Sequence, residues 1–237
     1  MRFVRPADSE VKHASMRARQ QHRHRLRLPC VTEPPGVSML ARQIAREILR
    51  AHRASSDAEV LALALDTFES GQKYVAYELL RAAPRALAAA RTSHVRRFAA
   101  GMSAWSDVDC FGCFVAGVAW RSGRICDREI ARLAASEDRW QRRAALVATI
   151  PLNATSRGAT SARGEARRTL AICTRLLDDR DEMVVKALSW ALRELAKRDP
   201  HAVRAYLSKH RERLAARVRR EVTNKLTTGL KTGARRP

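Results

Sequence analysis

The sequence predicts an all-α chain, and three observations carry that reading. Apolar residues recur at three- and four-residue spacing in segment after segment. No stretch alternates apolar with polar residues as a half-buried strand would. Ser, Asp, Gly and Pro punctuate the segments at helix-like intervals. With 237 residues the chain is long enough to bury a core of its own.

Taken in order, the first 36 residues stand apart. MRARQQHRHRLRLP is basic without apolar periodicity and runs into the breaker TEPPG, Thr32 to Gly36. Such a segment cannot bury a core, so it reads as a disordered leader or, alternatively, a phosphate-seeking arm, ahead of one domain over residues 37–237. Ser38 is expected to cap MLARQIAREILRAHR, which brings Leu40, Ile44, Ile48 and Leu49 to one face. Ser56 caps DAEVLALALDTFES, Gly71 separates it from QKYVAYELLRAA, and Pro84 stops that helix. Further helices are expected at 84–90, 93–102, 106–120, 127–134 and 137–150. The polar stretch LNATSRGATSARG, residues 152–164, is a loop, and helices resume at 165–177, 181–198, 200–210 and 218–227.

Two of these helices repeat. EDRWQRRAALVA aligns with RDEMVVKALSWA at an offset of 43, setting Asp138 on Asp181, Trp140 on Met183, Arg143 on Lys186 and Ala144 on Ala187. That spacing is within the range of HEAT or armadillo helix pairs, which stack into an α-solenoid curved around a concave face. Equivalent positions would then project Arg143 and Lys186 onto one basic concave surface.

Charge narrows the partner. Lys and Arg number 46 against 24 acids, a formal net charge of +22, so a polyanion is the expected ligand. No apolar run reaches the roughly 18 residues of a membrane span, and the N-terminus lacks the compact apolar core of a secretory signal. The five cysteines are too scattered for a disulfide framework, in keeping with a reducing compartment. Cys110 and Cys113 form a CxxC with no second pair, and read as buried helix thiols rather than a metal or redox centre. There is no glycine-rich phosphate loop, no HExxH and no paired CxxC, so no metal or other cofactor is expected.

Candidate chemistry gathers around two of the four tryptophans. Trp190 lies four residues after Lys186 and three before Arg193, a helix strip suited to a phosphate beside a sugar or base. In SAWSDVDCF, Trp105 and Asp109 are one turn apart, while Asp107 is expected to serve the helix N-terminus with Ser106. By spacing alone, Asp109 reads as a capping or salt-bridging carboxylate among many arginines.

These residues resemble the bacterial DNA alkylation repair family, the AlkD-type alkylpurine DNA glycosylases built from HEAT-like repeats. The likeness is carried by WSDVD, by RWQRRAALVA and above all by DDRDEMVVKALSWALRELAKRDP, residues 178–200, with REVTNKLTTGLK near the end. The resemblance implies excision of cationic alkylated purines, such as 3-methyladenine and 7-methylguanine, from double-stranded DNA by hydrolysis of the N-glycosidic bond, with no metal and no base pocket. It implies Asp109 as the catalytic carboxylate and Trp105 and Trp190 as the aromatic walls of the damaged nucleotide. Arg143, with Arg142 beside it, Lys186 and Arg193 would then meet the DNA backbone. A cytoplasmic, nucleoid-associated monomer is implied by the same likeness. A non-catalytic DNA-binding scaffold and a solenoid that binds an acidic protein are the competing readings, because a fold does not dictate an activity.

Overall fold

The computed structural model describes residues 37–153 and 165–232, and among them it holds α, 3₁₀ and π turns but no strand. The basic leader, residues 1–36, and most of the loop at 152–164 lie outside the described residues.

The helices are α1 (Val37–Ala51), α2 (Asp57–Glu69) and α3 (Lys73–Ala82), then a 3₁₀ segment (Pro84–Ala89) and α4 (Thr92–Phe98). Next come α5 (Trp105–Phe111), a π segment (Gly112–Ala116) and α6 (Gly117–Arg121), which run on without a break. After them are α7 (Asp127–Ala134), α8 (Arg139–Val147), α9 (Ile150–Asn153), α10 (Ala166–Arg175), α11 (Glu182–Ala196), α12 (Pro200–Lys209) and α13 (Ala216–Thr228).

Local chemistry starts and stops them much as expected. Ser56 and Glu59 form a reciprocal capping box at α2, in which each side chain accepts the other's backbone N–H. Asp138 caps α8, Asp181 caps α11, and Asp199 caps α12 just ahead of Pro200. Ser38 is expected ahead of the first helix, but α1 already includes Val37, so Ser38 falls in its first turn. Residues 84–90, expected to be α-helical, form the tighter 3₁₀ turn that begins at Pro84. A ring fixed near −65° suits a first helical position, and its missing N–H costs nothing there.

The packing runs in chain order. Helices α3, α5, α8, α11 and α13 make one row in which each meets the next, and α2, α4, α7, α10 and α12 pack beside it. This stacking of helix pairs is that of an α-solenoid. Helices in the first row start at residues 73, 105, 139, 182 and 216, so successive starts are 32, 34, 43 and 34 residues apart. The 43-residue offset is therefore the exceptional step, lengthened by the polar loop. Asn153 joins the two ends of that loop: its side chain accepts the Glu165 N–H at 3.1 Å and donates to Thr169 Oγ1 at 2.9 Å.

The core is continuous through the row. Phe68, Tyr77 and Phe98 pack ring to ring with centroids 5.3–6.5 Å apart, and the buried Tyr77 hydroxyl donates to the Phe98 carbonyl. Further along, small residues dominate: Ala144, Ala145 and Ala148 in and after α8, and Ala187 and Ala191 in α11, are all buried. Small side chains let α8 and α11 approach closely, and this brings their polar groups into reach of α5.

Candidate functional site

The N-terminus of α5 is held by neighbours rather than by a cap. Ala104 has extended dihedrals and offers no side-chain acceptor. Asp107, buried in the first turn, does that work by accepting the Ser103 N–H at 3.2 Å and the Tyr74 hydroxyl at 2.7 Å, with Lys73 at 3.9 Å. Tyr74 also lies 2.9 Å from Ser106 Oγ. The expected service of Asp107 to the helix N-terminus is present, and α3 shares in it. Trp105 is the first residue of the helix so anchored, and it remains 55% exposed although large and apolar.

One turn further, Asp109 faces α8. Two glycines make this approach possible. A Cβ on Gly112 would stand 2.6 Å from Val147 Cγ1, and one on Gly117 would stand 2.5 Å from the Ala148 carbonyl oxygen. Between them the chain takes π turns, with the Gly117 N–H bonded to the Gly112 carbonyl. The wider turn shifts the register of the residues after it, a device often found next to functional groups. A glycine inside a helical pattern is a sequence signal of such close approach, and GCFVAG carries two.

Arg143 meets Asp109 across this contact with a bidentate grip. Nε and Nη2 are 3.0 and 2.8 Å from Oδ1, and Nη2 is also 3.0 Å from Oδ2. Its remaining Nη1 donates to the Met183 carbonyl in the first turn of α11 at 2.7 Å. Arg143 is thus only 6% exposed and does not project to the surface as its place in the repeat predicts. All three of its nitrogens are engaged within the protein, two of them by Asp109. Burial raises the Asp109 pKa above its usual value, and the charge and hydrogen bonds of Arg143 pull it back. Oδ1 takes two N–H groups and Oδ2 one, so the half-buried carboxylate keeps acceptor capacity on Oδ2.

Trp190 is half-buried, packed on the core, and seven residues beyond Met183 on the same face of α11. Glu194, one turn further along α11, pairs with Lys197 at 2.6 Å. The other expected contacts divide. Lys186 is half-exposed and paired with Glu182 at 2.8 Å. Arg193 donates to Ser189 Oγ at 3.3 Å and lies 3.9 Å from Glu221, turned toward α13. Arg142 is a structural tie: Nε is 2.6 Å from Asp179, and Nη1 donates to the Ser136 and Glu137 carbonyls. It braces the turn before α8, on partners separate from those of Arg143.

Cys110 and Cys113 are half-buried, and burial pushes both thiols up to about 12, as expected of packed helix cysteines. Among the described residues no three His, Cys, Asp or Glu side chains gather as metal ligands would, and no helix is long and apolar enough to cross a membrane. Residue-type reasoning missed Tyr74 and Lys73, which reach Asp107 from another helix, and no local spacing announces them.

A family described as DNA alkylation repair enzyme matches residues 36–226, most of the chain. No curated protein matches it in sequence.

Proposed function

The chain belongs to the DNA alkylation repair enzyme family, and on that premise we propose that it excises cationic alkylated purines from duplex DNA as an N-glycosidic bond hydrolase. The observation that supports this most is a half-buried carboxylate, Asp109, clamped by a buried arginine one turn from an exposed tryptophan, Trp105.

Alkylation of a ring nitrogen leaves the purine positively charged, so it is already a good leaving group. As the bond from C1′ to the purine nitrogen breaks, its electron pair goes to the base, which leaves neutral, and positive charge builds on the sugar. The Asp109 carboxylate stabilises that charge, and because Arg143 holds it in place little reorganisation is needed as charge develops. Water then adds to C1′ and gives up a proton to Oδ2, the less occupied carboxylate oxygen. Trp105 and Trp190 supply aromatic faces to the cationic sugar. Lys186 and Arg193 hold phosphates nearby, whereas Arg143 serves the DNA through Asp109. This chemistry calls for neither metal nor cofactor.

The test is release of methylated purines from alkylated duplex DNA without added metal, by wild type and by Asp109→Asn. Wild-type release that falls on the order of 10²–10³-fold in the variant, with duplex binding retained, is the expected result. The engagement of both Asp109 oxygens by Arg143 also favours a second reading, a DNA-binding scaffold in which the pair is structural. No release by the wild type, with salt-sensitive DNA binding intact, would decide for the scaffold.

A further inference from the structure

The two site residues of α5 are held by different neighbours. Asp109 is gripped by Arg143 of α8, whereas the chain around Trp105 is tied to α3. Adjacent residues of α3 fasten it on both sides of the indole. Ahead of Trp105, Lys73 donates to the Gly101 carbonyl, where the chain turns at φ 63°. Beyond it, the Tyr74 hydroxyl donates to Asp107 Oδ1 at 2.7 Å and stands 2.9 Å from Ser106 Oγ. Asp107 closes the bracket: its Oδ2 accepts the Ser103 N–H at 3.2 Å and lies 3.9 Å from Lys73 Nζ.

Starting a helix does not require this arrangement. A Ser or Asp at position 104 would satisfy free N–H groups locally, but Ala104 stands there. The work passes to a buried carboxylate, and such a group is costly unless its partners stay in place. Tyr74 is a suitable partner, because its ring is packed against the core and its hydroxyl gives a charge-assisted hydrogen bond. What this mount carries is an indole more than half exposed. Such a side chain adds little to stability by standing in one place, whereas a reacting sugar needs its aromatic wall held closely.

We propose that Tyr74 is a positioning residue for base release, which sets the place of Trp105 beside the reacting sugar by holding Asp107 and Ser106. The role rests on the glycosylase reading and adds to it a division of labour. Helix α8 fixes the carboxylate through Arg143, and α3 fixes the aromatic wall through Tyr74, so the two halves of the site are preorganised from two helices. Tyr74 acts through Trp105, and its loss is felt in the transition state rather than in duplex binding.

The experiment measures base release from alkylated duplex over a range of DNA concentrations, for wild type, Tyr74→Phe, Trp105→Ala, the double variant and Tyr77→Phe. Tyr77→Phe removes a second buried hydroxyl from the same helix, the one that donates to the Phe98 carbonyl, and so reports a structural loss alone. Tyr74→Phe should lower the maximal rate about 10- to 100-fold and leave the half-saturating DNA concentration in place. It should cost little more once Trp105 is already Ala, and Tyr77→Phe should keep the maximal rate. Hydrogen exchange over residues 103–108 reads the mount without base release, and should be about tenfold faster in Tyr74→Phe than in wild type or Tyr77→Phe. Unchanged exchange in Tyr74→Phe, an equal fall in rate in Tyr77→Phe, or a full further fall in the double variant would each overturn the role. Wild-type release that Tyr74→Phe does not slow refutes the positioning alone and leaves the glycosylase reading standing. No release even by wild type refutes that reading, and the role in base release with it.

Discussion

In α8, Asp138 accepts the Trp140 N–H, and forty-three residues later in α11 Asp181 accepts those of Met183 and Val184. The two helices start by the same device, yet the bases five residues past the two caps part company. Arg143 is buried with every nitrogen engaged, whereas Lys186 is half-exposed and holds one glutamate of its own helix. The difference lies in what each helix meets. Beside α8 stands α5, brought close by two glycines and presenting Asp109; beside α11 stands α13, which carries cations of its own. Equivalence in a repeat thus extends to the backbone and the caps, and the neighbour decides the chemistry of the outward base.

The sharpest way to break that contrast is to remove each base. Arg143→Met strands Asp109 as a partly buried, uncompensated charge and should cost about 3–5 kcal/mol in a urea titration. A loss below about 1 kcal/mol would mean that the pair is no more than a surface bridge. Gly117→Ala drives a methyl into the Ala148 carbonyl, pushes α6 off the end of α8, and should cost about 1–3 kcal/mol. It should also weaken base release, since Asp109 and Arg143 face each other across the same contact; full stability and activity would show that the glycines do not set that contact.

Next in size is the response to pH. Asp109 acts as an anion and its pKa is raised by burial, so base release should decline as pH falls through that raised value, about tenfold per unit once below it. A profile flat well into the acid range would show that the charge on Asp109 is not used. The caps test the shared part of the repeat: Asp138→Ala and Asp181→Ala should each lower stability by about 1 kcal/mol. A wide disparity between them would undo the equivalence of the two helix starts. Smallest is Lys186→Met, which removes an exposed i, i+4 pair and should shift stability by only about 0.3–0.5 kcal/mol, while duplex binding weakens at low salt. Binding that holds at every salt concentration would take Lys186 out of the DNA contact.

Much of the fold is legible residue by residue. Ser56, Asp138, Asp181 and Asp199 mark helix starts because a short acceptor beside free N–H groups is a local matter, decided within four residues. Gly71, with φ 88°, marks a turn for an equally local reason. Ser38 misled because an N-cap acts only where the chain turns, and α1 continues back through it to Val37. At the site, Trp105 and Asp109 could be paired from one turn of spacing. The roles of Arg142 and Arg143 could not be told apart by spacing, since adjacent residues point about 100° apart and only the packing of α8 says which direction is inward.

The amino-acid sequence by itself determined an all-helical chain, where most helices begin, and a strong positive charge, because periodicity, capping and net charge are each summed locally. Tertiary structure alone decided that Arg143 is buried on Asp109, that Tyr74 and Lys73 brace the helix carrying Trp105, and that Lys231 returns to Glu221. Each of those pairs joins residues 10–34 positions apart. A charge has no preferred partner at such distances until packing has chosen which side chains lose their water, and for Asp109 and Arg143 that choice was made by two glycines.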